Sequence, residues 1–277
     1  MSRTIRNIVV ISDTHCGCRV GLCHKDGAAL DDGGRYAPSR LQRKVFGMWE
    51  EFWGERVPRA VKREPFIVVH NGDAIDGVHH GSTTQISHNI LDQVGLAENL
   101  LRPIVEKCEG RYYHIRGTEA HVGKSGTHEE ELAKRLGAIP NKEGQHARYE
   151  LWKDLGGHLI HFLHHIGTTS SSAHESSAVN AELAASFVEA ARWGDKPPSL
   201  VVRSHRHACI QVSIPTRDGF SSAVVTPAWQ LKTPFAWKIP GARLKPPQIG
   251  GVVIRVGDDG AIYTIPIVWR IERSATE

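Results

Sequence analysis

Three short apolar runs in this sequence are each followed at once by a cluster rich in aspartate or histidine. The runs cover residues 8–11, 66–69 and 200–202, and the clusters are Asp13-Thr14-His15, Asn71-Gly72-Asp73 and Ser204-His205-Arg206-His207. Each run has the length and unbroken hydrophobicity of a buried strand. Parallel strands of an α/β sheet bring their C-terminal ends to one edge, where ligands bind. The pattern therefore predicts an α/β fold with its chemistry at one sheet edge.

Helical and strand patterns fill the rest of the chain. Apolar residues recur at helical spacing over 41–53, 90–108 and 178–193, and a short helix is predicted over 127–136, with Thr127 as N-cap and Glu130 as its capping-box partner. Further strands are predicted over 112–115, 147–152, 159–163, 209–214, 222–226, 252–256 and 262–268. Residues 232–247, with their Pro, Lys and Trp content, are predicted to form a surface excursion. The alternation favours one α/β domain over residues 1–277.

Composition narrows the class of protein without selecting a function. With 277 residues, 40% of them hydrophobic, the chain can bury a full core. The net charge of +4 and the pI of 8.8 suit phosphate-bearing partners but fall short of a nucleic-acid-binding signature. The first residues lack the features of a signal peptide and no apolar run is long enough to span a bilayer, so we expect a soluble cytoplasmic protein. The five irregularly spaced cysteines are expected to be reduced.

The clustered residues have the chemistry of metal ligands. Divalent metals of hard or borderline character bind carboxylate oxygen and neutral imidazole nitrogen, and one carboxylate can bridge two ions roughly 3.5–4 Å apart. The chain holds 17 histidines, and several of them fall at predicted strand ends, as a scattered solvated set would not. Asp73 is placed to be the bridging carboxylate.

These blocks resemble the hallmark of the calcineurin-like metallophosphoesterases, which runs D-x-H, G-D, G-N-H-D/E, H and G-H-x-H. The matching strings here are Asp13-Thr14-His15, Gly72-Asp73, Arg116-Gly117-Thr118-Glu119-Ala120-His121, His164-His165 and His205-Arg206-His207. Their order and strand context match over roughly residues 8–208. The resemblance implies an α/β, two-sheet sandwich flanked by helices, with a core at about residues 5–215 and C-terminal strands over 220–270 that complete the second sheet.

The resemblance also implies a site and a reaction. The implied metal ligands are Asp13, His15 and His207 for one ion, Asp73 as the bridge, and His164 and His205 for the other. Two divalent ions, of Mn, Fe, Zn or Ni, are implied. In that family a metal-bound water or hydroxide attacks phosphorus, and a histidine protonates the leaving oxygen. The expected activity is therefore hydrolysis of a phosphoester.

The third block departs from the family pattern. Thr118 stands at the position of the family's ligand Asn, and Glu119 at that of its His, with His121 two residues further on. One hypothesis is that Glu119 supplies the metal-binding oxygen and His121 acts as the acid. Another is that Thr118 ligates weakly, or that the second site fills only at high metal concentration.

Several neighbouring residues have two interpretations. His164 and His165 compete for one ligand position, and His164 is preferred because it ends the apolar run first. His79 and His80 are candidate substrate contacts, although a solvated loop is the favoured account of them. Arg116 is a candidate phosphate contact, with an ion pair as the alternative. Asp76 is expected to hydrogen-bond backbone or a ligand histidine.

The substrate is predicted less directly, because the family includes protein phosphatases, diesterases and nucleases. The mild basic excess and the segment from Trp229 to Trp237 favour a nucleic-acid or nucleotide phosphodiester, through stacking on Trp and phosphate contacts by Lys232 and Lys238. Packing is the competing explanation for both tryptophans. The alternatives are a phosphomonoesterase or protein Ser/Thr phosphatase, and a degenerate scaffold that binds metal without catalysis.

Overall fold

A computed structural model describes residues 5–79, 81–167, 171–217, 219–239 and 242–271. Its strands are β1 (Asn7–Ile11), β2 (Ala28–Ala29), β3 (Arg35–Tyr36), β4 (Ile67–Asn71), β5 (Tyr112–Ile115), β6 (Ala147–Arg148), β7 (Glu150–Leu155), β8 (His158–Leu163), β9 (Leu200–Arg203), β10 (Ile210–Thr216), β11 (Gly219–Val225), β12 (Gln248–Val256) and β13 (Ile262–Arg270). Its α-helices are α1 (Arg40–Glu51), α2 (Val57–Ala60), α3 (Ile90–Lys107), α4 (Glu119–Val122), α5 (Thr127–Arg135) and α6 (Glu175–Trp193). A π-helical turn, Phe52–Arg56, joins α1 to α2.

The first sheet has six strands in the order β13-β12-β1-β4-β5-β6, and β1, β4, β5 and β6 run parallel. Every residue of β1 and β4 is buried, because both faces of these strands are covered. On the outer face, apolar residues of α1 and α3 pack against Val9, Ile11 and Val68. The continuous apolar runs that predicted these strands are thus the centre of the molecule.

The second sheet has five strands in the order β10-β11-β9-β8-β7. Its inner face packs on that of the first sheet, so that Phe162 and Val202 share a core with Ile8 and Val69. Part of its outer face is covered by α6 through Val179 and other apolar residues. The α/β, two-sheet sandwich flanked by helices that the sequence predicted is confirmed.

The C-terminal strands divide between the two sheets, which corrects the prediction that residues 220–270 complete the second one. Only β11 joins that sheet, beside β9, whereas β12 pairs antiparallel with β1 and β13 pairs with β12. Gly251 explains how β12 fits there: a Cβ at this position would lie 2.7 Å from Val10 O and 2.8 Å from the Phe52 ring. A larger residue would push β12 away from β1.

Helix capping differs from expectation at one helix. Thr127 is not an N-cap: α5 begins after Gly126, and Glu130 accepts hydrogen bonds from the backbone of His146 and Ala147, both at 2.8 Å. A capping box forms instead at α1, between Ser39 and Gln42. Among the described helices, none is both long and apolar enough to cross a membrane.

Candidate metal centre

The C-terminal ends of five strands from both sheets meet at one edge of the sandwich. β1 is followed by Asp13 and His15, β4 by Asp73, β5 by Thr118, β8 by His164, and β9 by His205 and His207. Backbone hydrogen bonds join the loops: Asp13 N donates to Gly72 O at 2.9 Å, and Ser204 N donates to His164 O at 2.9 Å. Residues far apart in the sequence therefore form one cluster.

One group in this cluster consists of Asp13, His15 and His207. Nε2 of His207 lies 3.2 Å from Asp13 Oδ1 and 3.2 Å from Nε2 of His15. Ligand nitrogens about 2.0–2.1 Å from a tetrahedral zinc ion are separated by roughly 3.3 Å. Asp13 and His15 are buried, whereas the side chain of His207 is 31% exposed. The group can therefore hold an ion that solvent reaches from one side.

A second group consists of Asp73, His164 and His205, with Thr118 at its centre. His164 Nε2 lies 3.0 Å from Asp73 Oδ2, and its Nδ1 donates to the carbonyl of Asn71 at 2.7 Å. A backbone carbonyl on one ring nitrogen is the usual way in which proteins orient the other nitrogen toward a metal. The Thr118 hydroxyl lies 3.0 Å from Asp73 Oδ2 and 3.1 Å from His205 Nδ1. Thr118 thus occupies the place between carboxylate and imidazole.

Behind the first group, Asp76 connects His15 with two further histidines. Its Oδ1 lies 3.4 Å from His15 Nδ1, its Oδ2 lies 3.7 Å from His79 Nε2, and its backbone oxygen accepts a 2.6 Å hydrogen bond from His121 Nδ1. With Nδ1 held by that carbonyl, His121 presents Nε2, which is 4.0 Å from Asp73 Oδ2. The arrangement leaves His121 able to exchange a proton at the edge of the cluster.

Backbone strain is concentrated at this site. Five of the clustered residues have left-handed φ values: Asp13 at 51°, His15 at 41°, Asp73 at 56°, His205 at 69° and His207 at 51°. The other described non-glycine residues with positive φ, at positions 62, 63 and 109, follow helix C-termini, where this conformation is common. Strained conformations away from such ends persist where the surrounding structure fixes them, and they gather at functional sites.

Two glycines and one buried glutamate hold the Asp73 loop against the Thr118 loop. A Cβ at Gly117 would lie 2.0 Å from Asp73 Oδ1, and a Cβ at Gly72 would lie 2.4 Å from His164 Nδ1. The carboxylate of Glu129, fully buried, accepts the backbone N–H of Ala74 at 2.8 Å and that of Gly117 at 2.6 Å. Because Glu129 binds both loops at once, it fixes the distance between Asp73 and Thr118.

The buried carboxylates of the cluster are balanced by the histidines beside them. Burial alone would raise the pKa of Asp13 and of Asp73, but the neighbouring histidines outweigh it and hold both pKa values well below the usual range. Burial works against protonation of His164, yet Asp73 and Asp13 raise its pKa to about 10. Burial and the proximity of His164 lower the pKa of His205 to about 4. The carboxylates are therefore anions held close together in a buried space.

The donor set fits divalent metal ions. Asp13 Oδ1 is buried and makes no well-aligned hydrogen bond within the described residues, although His207 Nε2 lies 3.2 Å away, and a buried carboxylate oxygen in such a place can accept a cation. Three sets of ligand atoms each lie within 4.8 Å of one another: Asp13, His15 and His207; Asp73, His164 and His205; and His15, Asp76 and His121. Oxygen and imidazole donors in such sets suit Mn, Fe, Zn or Ni.

The structure brings most of the predicted metal ligands together but leaves out Glu119 and the alternative ligand His165. Glu119 begins α4 with an exposed side chain and belongs to none of these sets. His165 is also exposed, so His164 is the histidine of that pair within the cluster. The reason is local in both cases: the helix turn directs Glu119 outward, and strand-end alternation does the same for His165.

The predicted substrate contacts are placed differently from one another. His79 packs edge-to-face on His121 at 4.5 Å between ring centres and lies at the border of the site. His80 lies outside the described residues. Arg116 donates to Ala147 O at 2.9 Å and its guanidinium lies 4.8 Å from the centre of the Tyr149 ring, with Glu130 as its ion-pair partner at 3.5 Å. Arg116 is thus engaged with protein groups.

Glu129 is a buried residue of the candidate site that the sequence interpretation missed. It lies in a helix pattern, and the neighbouring Glu130 attracted the capping-box interpretation. The role of its buried carboxylate, which accepts backbone N–H groups from two loops, can be recognised only when the positions of both loops are known. Its position within a run of three glutamates, 129–131, hid the signal.

The order of strands in the two sheets and the strand-end Asp and His residues agree with what the resemblance to the calcineurin-like metallophosphoesterases implied. No model of a known family matches the chain, and no curated protein has significant sequence similarity to it.

Several solved structures align with nearly the whole length of the chain, at low identity and low TM-score. A predicted phosphoesterase from Streptococcus pneumoniae is 11% identical, with a TM-score of 0.35 over 95% of this chain and 98% of its own. Vps29 from Chaetomium thermophilum is 11% identical, with a TM-score of 0.36 over 96% and 97%. A metallophosphoesterase from Sphaerobacter thermophilus is 11% identical, with a TM-score of 0.31 over 96% and 88%.

Proposed function

We propose that this protein is a metal-dependent phosphoesterase with a binuclear centre. Asp13, His15 and His207 would hold one ion, and His164 and His205 the other, with Asp73 between them. The observation that carries the proposal is the left-handed backbone of five clustered residues, because a structure that only packed these side chains has no reason to keep that strain. When bound, two divalent ions lower the pKa of a water and neutralise phosphate oxygens.

The chain's own residues supply orientation and a proton. Asn71 O fixes the ring of His164, and Glu129 keeps Thr118 against Asp73. We assign to His121, whose Nδ1 donates to the carbonyl of Asp76, the role of giving a proton from Nε2 to the leaving oxygen. Thr118 would serve the second ion through its hydroxyl, in the position that the family gives to Asn.

For the substrate, we propose a phosphodiester of a nucleic acid or nucleotide in preference to a phosphomonoester or phosphoprotein. The support is the basic stretch that leaves the centre after Gln230, together with the exposed ring of Trp237. Trp229 does not take part, because it is fully buried and packs on Trp49 at 4.8 Å between ring centres.

The test combines metal analysis with turnover. The purified protein is loaded with manganese, its metal content is measured, and hydrolysis of bis-p-nitrophenyl phosphate is compared with that of p-nitrophenyl phosphate. We expect two ions per chain and faster hydrolysis of the diester. Fewer than two ions, or no hydrolysis of either compound, would contradict the proposal.

A second candidate function has one observation in its favour. Thr118 offers a shorter side chain and a weaker oxygen donor than the Asn of the family pattern, so the Asp73 side could bind its ion too weakly for catalysis. In that case the protein would be a scaffold that binds one metal ion. One tightly bound ion per chain without turnover is the result that would favour it.

A further inference from the structure

Residues 231–239 and 242–247, which we call the basic arm, form an irregular excursion between β11 and β12. The sequence from 231 to 247 contains four cationic residues, Lys232, Lys238, Arg243 and Lys245, and no acidic one. The formal net charge of the whole chain is also +4, so this short stretch accounts for the whole excess. A cationic surface of this kind attracts polyanions.

The basic arm is anchored to the metal centre at both ends. Just before it, Trp229 N donates to Asp13 O at 3.0 Å, and Gln230 Nε2 donates to Asp76 Oδ1 at 3.4 Å. At its other end, Lys245 forms an ion pair with Glu175, whose backbone oxygen accepts a 3.1 Å hydrogen bond from Arg206. Arg206 stands between His205 and His207. A molecule bound along the arm would therefore reach the edge of the centre.

The arm also exposes an aromatic ring that the protein holds in place. Lys232 Nζ lies 4.2 Å from the centre of the Trp237 ring and donates to Arg243 O at 2.8 Å. Trp237 nevertheless remains 60% exposed, while Lys238 and Arg243 beside it point into solvent. Exposed rings interleaved with cations are the features with which proteins bind single-stranded nucleic acid, since bases stack and phosphates pair with the cations.

We propose that the basic arm binds single-stranded nucleic acid and leads it to the metal centre, with a base stacked on Trp237 and phosphates on Lys238 and Arg243. This inference rests on the proposed phosphoesterase function, whose substrate class it narrows. Nucleic acid is favoured over a membrane surface because Lys238 and Arg243 are exposed beside an exposed ring, and the described part of the arm is an irregular loop without an amphipathic helix.

The test measures binding to an oligothymidylate of about 20 nucleotides, longer than the roughly 4–16 nucleotides of one single-strand-binding fold. The full chain is loaded with manganese, and the labelled oligonucleotide carries phosphorothioate linkages so that it persists. We expect Trp237→Ala to raise Kd by about tenfold. We expect Lys238→Ala with Arg243→Ala to flatten the salt dependence, lowering the slope of log K against log salt by about 1.4.

Matched controls are available elsewhere on the surface. Trp193 at the end of α6 is 77% exposed, and Lys134 and Lys142 are exposed lysines remote in sequence from the arm. Trp193→Ala and the pair Lys134→Ala with Lys142→Ala should leave Kd within twofold of the wild type. An unchanged Kd in the arm variants, or an equal loss in the controls, would overturn the inference.

Two further outcomes separate this inference from the function on which it rests. Binding that depends on the arm, in a protein that hydrolyses no small diester, would reject the phosphoesterase and keep the nucleic-acid surface. Binding of the arm to phosphatidylserine vesicles without binding to the oligonucleotide would assign the surface to a membrane and reject our proposal.

Discussion

The two sides of the candidate metal centre are built differently. The side of Asp13, His15 and His207 is backed by a buried carboxylate, Asp76, that lies 3.4 Å from His15. The side of Asp73, His164 and His205 has a single hydroxyl, that of Thr118, where the family pattern places an amide. A carboxylate that hydrogen-bonds to a histidine makes that histidine a stronger metal ligand, whereas a neutral hydroxyl is itself a weak metal ligand. The difference suggests unequal affinity, with the Asp13 side filled first.

We expect the largest effect from a substitution of Asp73, the carboxylate that the two sides share. Asp73→Asn keeps the size of the side chain but removes its charge, and we expect diester turnover to fall about a thousandfold, since metal catalysis supplies several kcal/mol. Turnover and metal content are measured together. A variant that keeps two ions and full activity would show that Asp73 does not join the two sides.

Loss of the proton donor should be smaller. For His121→Ala we expect a decrease of about a hundredfold in kcat for a substrate with a poor leaving group, and little change for a p-nitrophenyl ester, which needs no protonation. Glu119→Ala is the matched control, because that side chain is exposed beside the same helix turn. An equal loss for both leaving groups, or a loss of metal in the Glu119 variant, would contradict these assignments.

The substitution Thr118→Val tests whether the two sides differ in metal affinity. Valine preserves the shape of threonine and removes the hydroxyl, so we expect the affinity for the second ion to fall about tenfold while the first ion stays bound. Metal titration followed by calorimetry would separate the two events. Equal weakening of both sites would mean that Thr118 acts on the fold and not on one ion.

The matched ligand pair His205→Ala and His207→Ala then identifies which side fills first. Each removes one imidazole from the same loop, and each should leave one ion per chain. Because the Asp13 side is expected to bind more tightly, the His205 variant should retain its ion at lower free metal than the His207 variant. If the His207 variant retained its ion at the lower free metal concentration, the Asp73 side would be the one that binds more tightly.

The smallest expected effect is a pH dependence of stability that arises beside β9, the strand that precedes His205 and His207. Arg203, at the end of β9, lies 3.1 Å from His161, and burial together with Arg203 lowers the pKa of His161 to about 4. The folded state thus binds fewer protons than the unfolded state between about pH 4 and pH 6.5, so stability should fall as the pH is lowered through that window. His161→Gln should reduce this dependence of Tm on pH, and an unchanged slope would exclude His161 as its source.

Much of the fold was predictable because apolar periodicity is a local property. The strands at residues 7–11, 112–115 and 200–203 lie within one residue of their predicted bounds. The sheet to which a strand belongs is not local, and β12 was therefore assigned to the wrong sheet. Its place beside β1 depends on close packing at Gly251, which no spacing in the sequence reveals.

For the candidate site, too, some features followed from the sequence and others only from the tertiary structure. The sequence alone predicted which residues would come together as candidate metal ligands, since Asp13, His15, Asp73, His205 and His207 follow apolar runs whose ends meet at one sheet edge. Only the tertiary structure decided between His164 and His165, put Thr118 rather than Glu119 between Asp73 and His205, and brought Glu129 under both loops. The physical reason is that strand ends are set by hydrophobic pattern, whereas the direction of a side chain in a loop depends on backbone angles and contacts across the sandwich.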